Sequence, residues 1–167
     1  MKEFVVLGVS GCGKSTVARA LAERLGGDYL DADDFHPTTN KAKMAEGIAL
    51  TDEDRWPWLD ALNAELRGRT GKDGWLFLAC SALRDSYRER LRRNLPELRF
   101  VYLKGTQRLI RNRLEKRLGH FMPPELLESQ FETLEEPTDA ITVEIDGTPL
   151  EIIEKIDLLI RREQSFA

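Results

Sequence analysis

A chain of 167 residues, 41% hydrophobic and 32% charged, can bury a real core and has the composition of an ordinary globular protein. Its net charge of −4 and pI near 5.4 give no electrostatic basis for bulk binding to nucleic acid or an anionic membrane, so any anion site must be a local cluster. Two cysteines, Cys12 and Cys80, suggest neither a zinc site nor a disulfide framework, and a reducing compartment fits.

The first apolar run, Phe4 to Val9, is too short for a signal-peptide core or a membrane span. It predicts a buried strand, and the cytosol is the expected location. After it comes Gly8-Val9-Ser10-Gly11-Cys12-Gly13-Lys14-Ser15-Thr16, which contains a complete G-x-x-x-x-G-K-S motif between a predicted strand and a predicted helix. Glycines there let the backbone wrap closely around phosphates at a positive helix terminus. Lys14 can reach the β- and γ-phosphates of ATP, and the Ser15 hydroxyl can ligate Mg²⁺. Cys12 inside this loop is expected to be a small tolerated residue rather than a redox switch. The following helix carries Val17, Leu21 and Leu25 on one face and ends at Gly26-Gly27.

The second strand, Tyr29–Asp31, runs into Asp31-Ala32-Asp33-Asp34-Phe35-His36-Pro37. If the chain stays extended, Asp31 and Asp33 share a side. One could hold a Mg²⁺-bound water and the other could accept the proton of an attacking hydroxyl. A solvated acidic turn is the alternative, and Asp34 suits it best. His36 is either a substrate hydrogen-bonder or a turn residue. A short helix is expected in Thr38–Ala49, over an acceptor pocket, where Lys43 and Arg55 are natural partners for an anion. Thr51 and Asp54 predict a capping turn, with Pro57 in the first turn of a helix carrying Leu59, Leu62 and Leu66.

The third strand, Trp75–Cys80, is uniformly apolar, so Cys80 is expected in the core, while Ser81 and Arg84 fall at the strand end near the site. Strand Phe100–Leu103 precedes Thr106, a predicted N-cap for a helix through Ile110, Leu114 and Leu118. Arg113 and Arg117 share a face of that helix, and Leu118-Gly119-His120-Phe121 breaks its pattern. A lid bearing arginines would neutralise a transferring phosphoryl group and exclude water; a basic solvated helix is the bland alternative. A fifth strand, Ile141–Ile145, and a helix with Leu150, Ile153, Ile156 and Ile160 on one stripe close the chain.

Strands alternating with helices imply an α/β fold, with a mostly parallel sheet, helices on both faces and ligands at the carboxyl ends of the strands. A single domain over 1–167 is expected, with an acceptor-binding helical region at about 34–70 and a lid at about 117–124. The loop motif alone signifies a nucleoside triphosphate. A signalling GTPase is disfavoured, because no D-x-x-G occurs and Asn40-Lys41-Ala42-Lys43 has lysine where the base-reading aspartate belongs.

Taken together, Gly8–Ser15, Asp31-Ala32-Asp33 with His36-Pro37, Lys43-Met44, Asp52-Glu53-Asp54-Arg55 with Pro57-Trp58-Leu59, Cys80-Ser81-Ala82-Leu83, Tyr102-Leu103-Lys104-Gly105, Arg113–Arg117 with Gly119-His120-Phe121, and Gln130-Phe131-Glu132-Thr133-Leu134-Glu135 resemble the small P-loop gluconokinases, relatives of shikimate kinase and the nucleoside monophosphate kinases. The resemblance covers about residues 4–160. It implies the P-loop NTPase fold with a five-stranded parallel sheet, a lid closing over ATP, and phosphorylation of the gluconate 6-hydroxyl with Mg²⁺. It assigns Asp31 to the metal side through water, Asp33 to the acceptor hydroxyl, Lys43, Arg55 and Arg84 to positions in or near the acceptor pocket, and Arg113 and Arg117 to the lid side. Two departures are visible: Cys12 where serine or alanine is commoner, and Arg84 where lysine is usual. A shikimate-type or monophosphate kinase on the same fold is the main competitor, though a shikimate kinase would carry a glycine triplet where Cys80-Ser81-Ala82 stands. A non-catalytic nucleotide-binding adaptor is a third possibility. The oligomeric state, a homodimer included, stays open.

Overall fold

The computed structural model describes residues 2–69, 73–116 and 124–164. Five parallel strands, β1 (Lys2–Leu7), β2 (Asp28–Asp31), β3 (Trp75–Ala79), β4 (Arg99–Lys104) and β5 (Ile141–Glu144), form one sheet in the order β2-β3-β1-β4-β5. The helices are α1 (Lys14–Leu25), α2 (Thr38–Ala45), α3 (Asp52–Arg69), α4 (Asp85–Arg92), α5 (Gln107–Glu115), α6 (Pro124–Thr133) and α7 (Pro149–Gln164).

The pleat of the central strand divides the core. Phe4 and Val6 pack with α1, α5 and α7 on one face, and Val5 and Leu7 pack with α3 and α4 on the other. Both layers are needed to cover a parallel sheet whose strands are apolar on both sides. β1 therefore sits with β3 on one side and β4 on the other, and the loop that leaves it opens at the strand ends where the chain order reverses.

Local signals placed most helix starts. The Thr106 hydroxyl accepts from the Leu109 N–H at 3.2 Å and caps α5. Thr51 and Asp54 cap α3 reciprocally: the Asp54 carboxylate accepts the Thr51 N–H at 2.9 Å, and the Thr51 hydroxyl accepts the Asp54 N–H at 3.3 Å. That cap starts α3 so early that Pro57 falls inside the helix rather than in its first turn. The carbonyl of Glu53 loses its helical donor there, at an exposed residue where water can replace it. In α7 the buried stripe is Ile152, Ile153, Ile156 and Ile160, and Leu150 is solvent-exposed.

Candidate active site

The loop between β1 and α1 is wrapped tightly over its own side chains. Gly8 and Gly11 have φ of 149° and 81°, and a Cβ on either would come within 2.7 Å of Cys12 Sγ or 2.8 Å of Leu114. Cys12 is thus buried beneath the loop, and burial pushes its thiol pKa up, which suits a packing residue and not a reactive thiolate. Lys14 Nζ donates to the Val9 carbonyl at 3.0 Å, so the ammonium lies over the loop. The Ser10 N–H donates to Gln130 Oε1 of α6 at 2.6 Å, bringing a segment 120 residues away onto the loop.

β2 delivers a carboxylate to the same place. Asp31 Oδ2 accepts from the Ser15 hydroxyl at 3.0 Å and from the Tyr29 hydroxyl at 2.7 Å, while Oδ1 accepts the Asp33 N–H at 3.1 Å. Burial alone would raise the Asp31 pKa, but these three donors and the Lys14 charge outweigh it, and the carboxyl lies below its usual range. The expected extended geometry past Asp31 is not what forms. The strand ends there and Ala32–Phe35 make a 3-10 turn, capped by the Asp31 side chain itself. Asp31 and Asp33 are consequently not paired by strand alternation. Asp31 turns to the loop, and Asp33 stands out with an 87% exposed side chain. Among the described residues no cluster of three or more His, Cys, Asp or Glu could hold a metal unaided. The hydroxyl and carboxylate oxygens of Ser15 and Asp31 suit a hard cation that keeps other ligands from phosphate and water.

The residues expected at the acceptor lie along α2 and the first turn of α3, and after β3. His36 is buried, its ring stacked on Trp58 at 4.1 Å between centroids and 14° between planes. Trp58 Nε1 donates to the Ala32 carbonyl at 2.7 Å, fastening the 3-10 turn to α3. Lys43 and Arg55 each meet a carboxylate of α3: Lys43 Nζ binds both Asp54 oxygens, at 2.7 and 2.8 Å, and Arg55 lies 3.8 Å from Asp52. Arg84 joins the same Asp52 at 3.1 Å, and the Tyr87 hydroxyl donates to it. Arg55 and Arg84 also stand over the Tyr87 ring, at 5.5 and 5.9 Å. Two cations thus converge on one aromatic ring and one acid, which is a ready arrangement for an anionic acceptor.

Ser81 lies just past β3, where its carbonyl accepts the Gly8 N–H at 3.4 Å and ties this segment to the phosphate loop. Ala82 adopts φ of 41°, the left-handed region. Arg88 of α4 holds it so: 2% exposed, it donates from Nη1 to the Ala82 and Leu83 carbonyls at 2.9 and 3.1 Å. Glu135 adds a second clamp, its N–H on the Leu83 carbonyl and its carboxylate on the Asp85 N–H. Cys80 is core, with its thiol pushed up to about 12 by burial.

Arg113 lies on the helix where the sequence places it, ahead of the expected lid at about 117–124. It lies in the body of α5, and its Nη2 donates to the Ile145 carbonyl and, at 3.5 Å, to that of Gly147, in the turn after β5. Arg117 and the segment 117–123, with Gly119, His120 and Phe121, lie outside the described residues. A cleft of about 740 Å³ lined by Trp56, Arg90, Arg92, Arg93 and Pro96 includes no residue of the loop, and its arginines are already paired, Arg90 and Arg93 with Asp60 and Arg92 with Glu89 and Asp139.

Tyr29, Asn40, Asp52, Tyr87, Arg88 and Gln130 were not singled out from the sequence as site residues. Tyr29 carried a signal in its alternation with Asp31 along β2, and Asp52 and Gln130 lie in segments that carry the family resemblance.

A phosphate-binding loop at the centre of a five-stranded parallel sheet, with a carboxylate on its serine and two arginines, Arg55 and Arg84, meeting at Asp52, defines a P-loop protein of the small-molecule kinase class. The AAA domain family matches residues 4–137. The thermoresistant gluconokinase of Escherichia coli (strain K12) is 48% identical over 154 residues, covering 89% of this chain and 86% of that protein. The crystal structure of a gluconokinase from Sinorhizobium meliloti 1021 superposes with a TM-score of 0.84 at 43% identity, over 92% of this chain and 87% of that one. Shikimate kinase from Aquifex aeolicus vf5 shares the fold alone, with a TM-score of 0.64 at 17% identity over 99% of each chain. The chain belongs to the gluconokinase family. No helix among the described residues is long and apolar enough to cross a membrane.

Proposed function

We infer that this protein is a gluconokinase, transferring the γ-phosphoryl group of ATP to the 6-hydroxyl of gluconate to give 6-phosphogluconate. The observation that carries the substrate is the 48% identity to a gluconokinase over nearly the whole chain, against 17% for a shikimate kinase of the same fold. The local geometry supports the roles. Residues 8–16 would cradle the phosphates, with Lys14 on the β- and γ-phosphates. Ser15, and Asp31 through water, would hold Mg²⁺ with the nucleotide, and the ion would supply neutralising charge at the phosphate oxygens.

Asp33, free of the loop and open to solvent, is the carboxylate left to receive the acceptor's proton. The acceptor would lie over the 34–70 region, its carboxylate on Arg55 and Arg84, with Lys43, His36 and Ser81 bonding along the hydroxyl chain. Asp52 balances the two arginines, which keeps them in place without leaving bare charge. If Arg113 is to meet the transferring phosphoryl group, it must first release the Ile145 and Gly147 carbonyls.

An ADP-release assay over sugar acids, polyols, shikimate and nucleoside monophosphates tests this. Gluconate should lead. Glucose and sorbitol, lacking the carboxylate, should fall roughly ten- to a hundredfold or more in kcat/KM. Shikimate and monophosphates should be inactive. Lys14→Ala should abolish most turnover in a folded protein. A preference for a nucleoside monophosphate would overturn the substrate, and near-normal Lys14→Ala turnover would overturn the kinase mechanism.

A further inference from the structure

Asn40 is 2% exposed, a buried amide with no part in the phosphate loop. Its Nδ2 donates to the backbone carbonyl of Asp54 at 2.8 Å, joining α2 to the first turn of α3. A carbonyl oxygen only accepts, so this bond fixes which end of the amide faces inward. The same Nδ2 lies 3.4 Å from His36 Nδ1. An amide nitrogen has two hydrogens to give and nothing to accept with, so Nδ1 must present a lone pair. In a neutral imidazole the proton then belongs to the other nitrogen. That nitrogen, Nε2, is 4.0 Å from Asp33 Oδ1. The stack on Trp58 holds the ring plane, and closing the gap needs only movement of the exposed Asp33 side chain.

We propose that Asn40 is a positioning residue that locks His36 as the Nε2–H tautomer, so that a neutral N–H donor orients the Asp33 carboxylate toward the acceptor hydroxyl. The proposal rests on Asp33 being the acceptor-side base. A neutral donor serves that role better than an imidazolium would. A neutral N–H donor hydrogen-bonds the carboxylate without setting a second full charge beside it. Burial lowers the His36 pKa; Asp33 pulls it back up, and Lys41 and Arg55 push it further down, with a net shift that favours the neutral ring near pH 7.

The test is long-range ¹H–¹⁵N NMR on the imidazoles. The chain has two histidines, so His36 is assigned by the signal lost in His36→Gln. At pH 7 the wild type should show a neutral His36 protonated on Nε2. In Asn40→Leu the tautomers should mix, kcat for gluconate should fall roughly tenfold, and KM for ATP should stay unchanged. A wild-type ring protonated on Nδ1, or on both nitrogens, overturns the proposal, whether or not Asn40→Leu folds. An Asn40→Leu enzyme with the wild-type tautomer and kcat overturns it as well. The spectrum needs no substrate. Failure of the gluconate assay with the Nε2–H tautomer intact would therefore fault the substrate, and the reverse outcome would fault only the role given to Asn40.

Discussion

Replacing Arg88 with methionine would test how the segment after β3 is held in place. Methionine keeps most of the length and packing of the arginine stem but removes its donors. Leu83 loses one of two partners, since its carbonyl still accepts the Glu135 N–H at 2.9 Å. Ala82 loses its Arg88 bond, and a buried acceptor left without a partner costs about 1–3 kcal/mol. Some of that returns, because the wild type buries a charge whose Nε has no hydrogen-bond partner among the described residues. A net loss of about 1–2 kcal/mol follows, and for a chain of this size a Tm lower by about 2–8 °C. Ala82 is held at φ of 41°, a conformation that costs a non-glycine residue roughly 1–2 kcal/mol, and without the clamp it should relax. Ser81 and Arg84 flank it and would move with it. Calorimetry and steady-state kinetics should show the Tm drop with a gluconate KM raised roughly tenfold, while ATP affinity changes little. Arg88→Lys, keeping charge and one donor, should fall between. Wild-type Tm and gluconate KM in Arg88→Met would refute the clamp.

Asp33→Asn should lower kcat far more than it weakens ATP binding; a collapse of ATP affinity with kcat at saturation unchanged would move Asp33 to the nucleotide side. Acid stability gives a separate check. At Asp157 burial raises the pKa, but bonds from Arg161 and Arg24 outweigh it and leave the carboxyl below 3.8, as with Asp31. A folded pKa below the unfolded one means stability present above about pH 4 and lost as pH falls through the folded values. Asp157→Asn should therefore flatten the acid limb of a Tm-against-pH curve, and an unchanged limb would show that the pairing contributes nothing.

Much of the architecture was legible because its causes are local. The glycine-and-lysine loop, the cap at Thr106, the reciprocal cap of Thr51 and Asp54, and the apolar runs of β1 and β3 each depend on residues within a few positions of one another. Helix α4 was not singled out, and the reason is specific. Two of its three buried positions are Tyr87 and Arg88 rather than aliphatic residues, so no apolar stripe advertises the helix. At Ala32–Phe35 the sequence leaves a continued strand and an acidic turn both open, because an alternating Asp-x-Asp suits either until the Asp31 side chain is seen capping a 3-10 turn.

By itself the sequence determined the phosphate loop, the parallel α/β architecture and the family to which the chain belongs. Tertiary structure alone decided the partners: Asp31 on Ser15, Asp52 between Arg55 and Arg84, Asn40 beneath His36, and Gln130 on the Ser10 amide. Backbone conformation answers to near neighbours. The state of a charge, a tautomer or a buried amide answers to whatever the fold brings within about 3–4 Å, and residues as far apart in the chain as Arg24 and Asp157, 133 positions, supply it here.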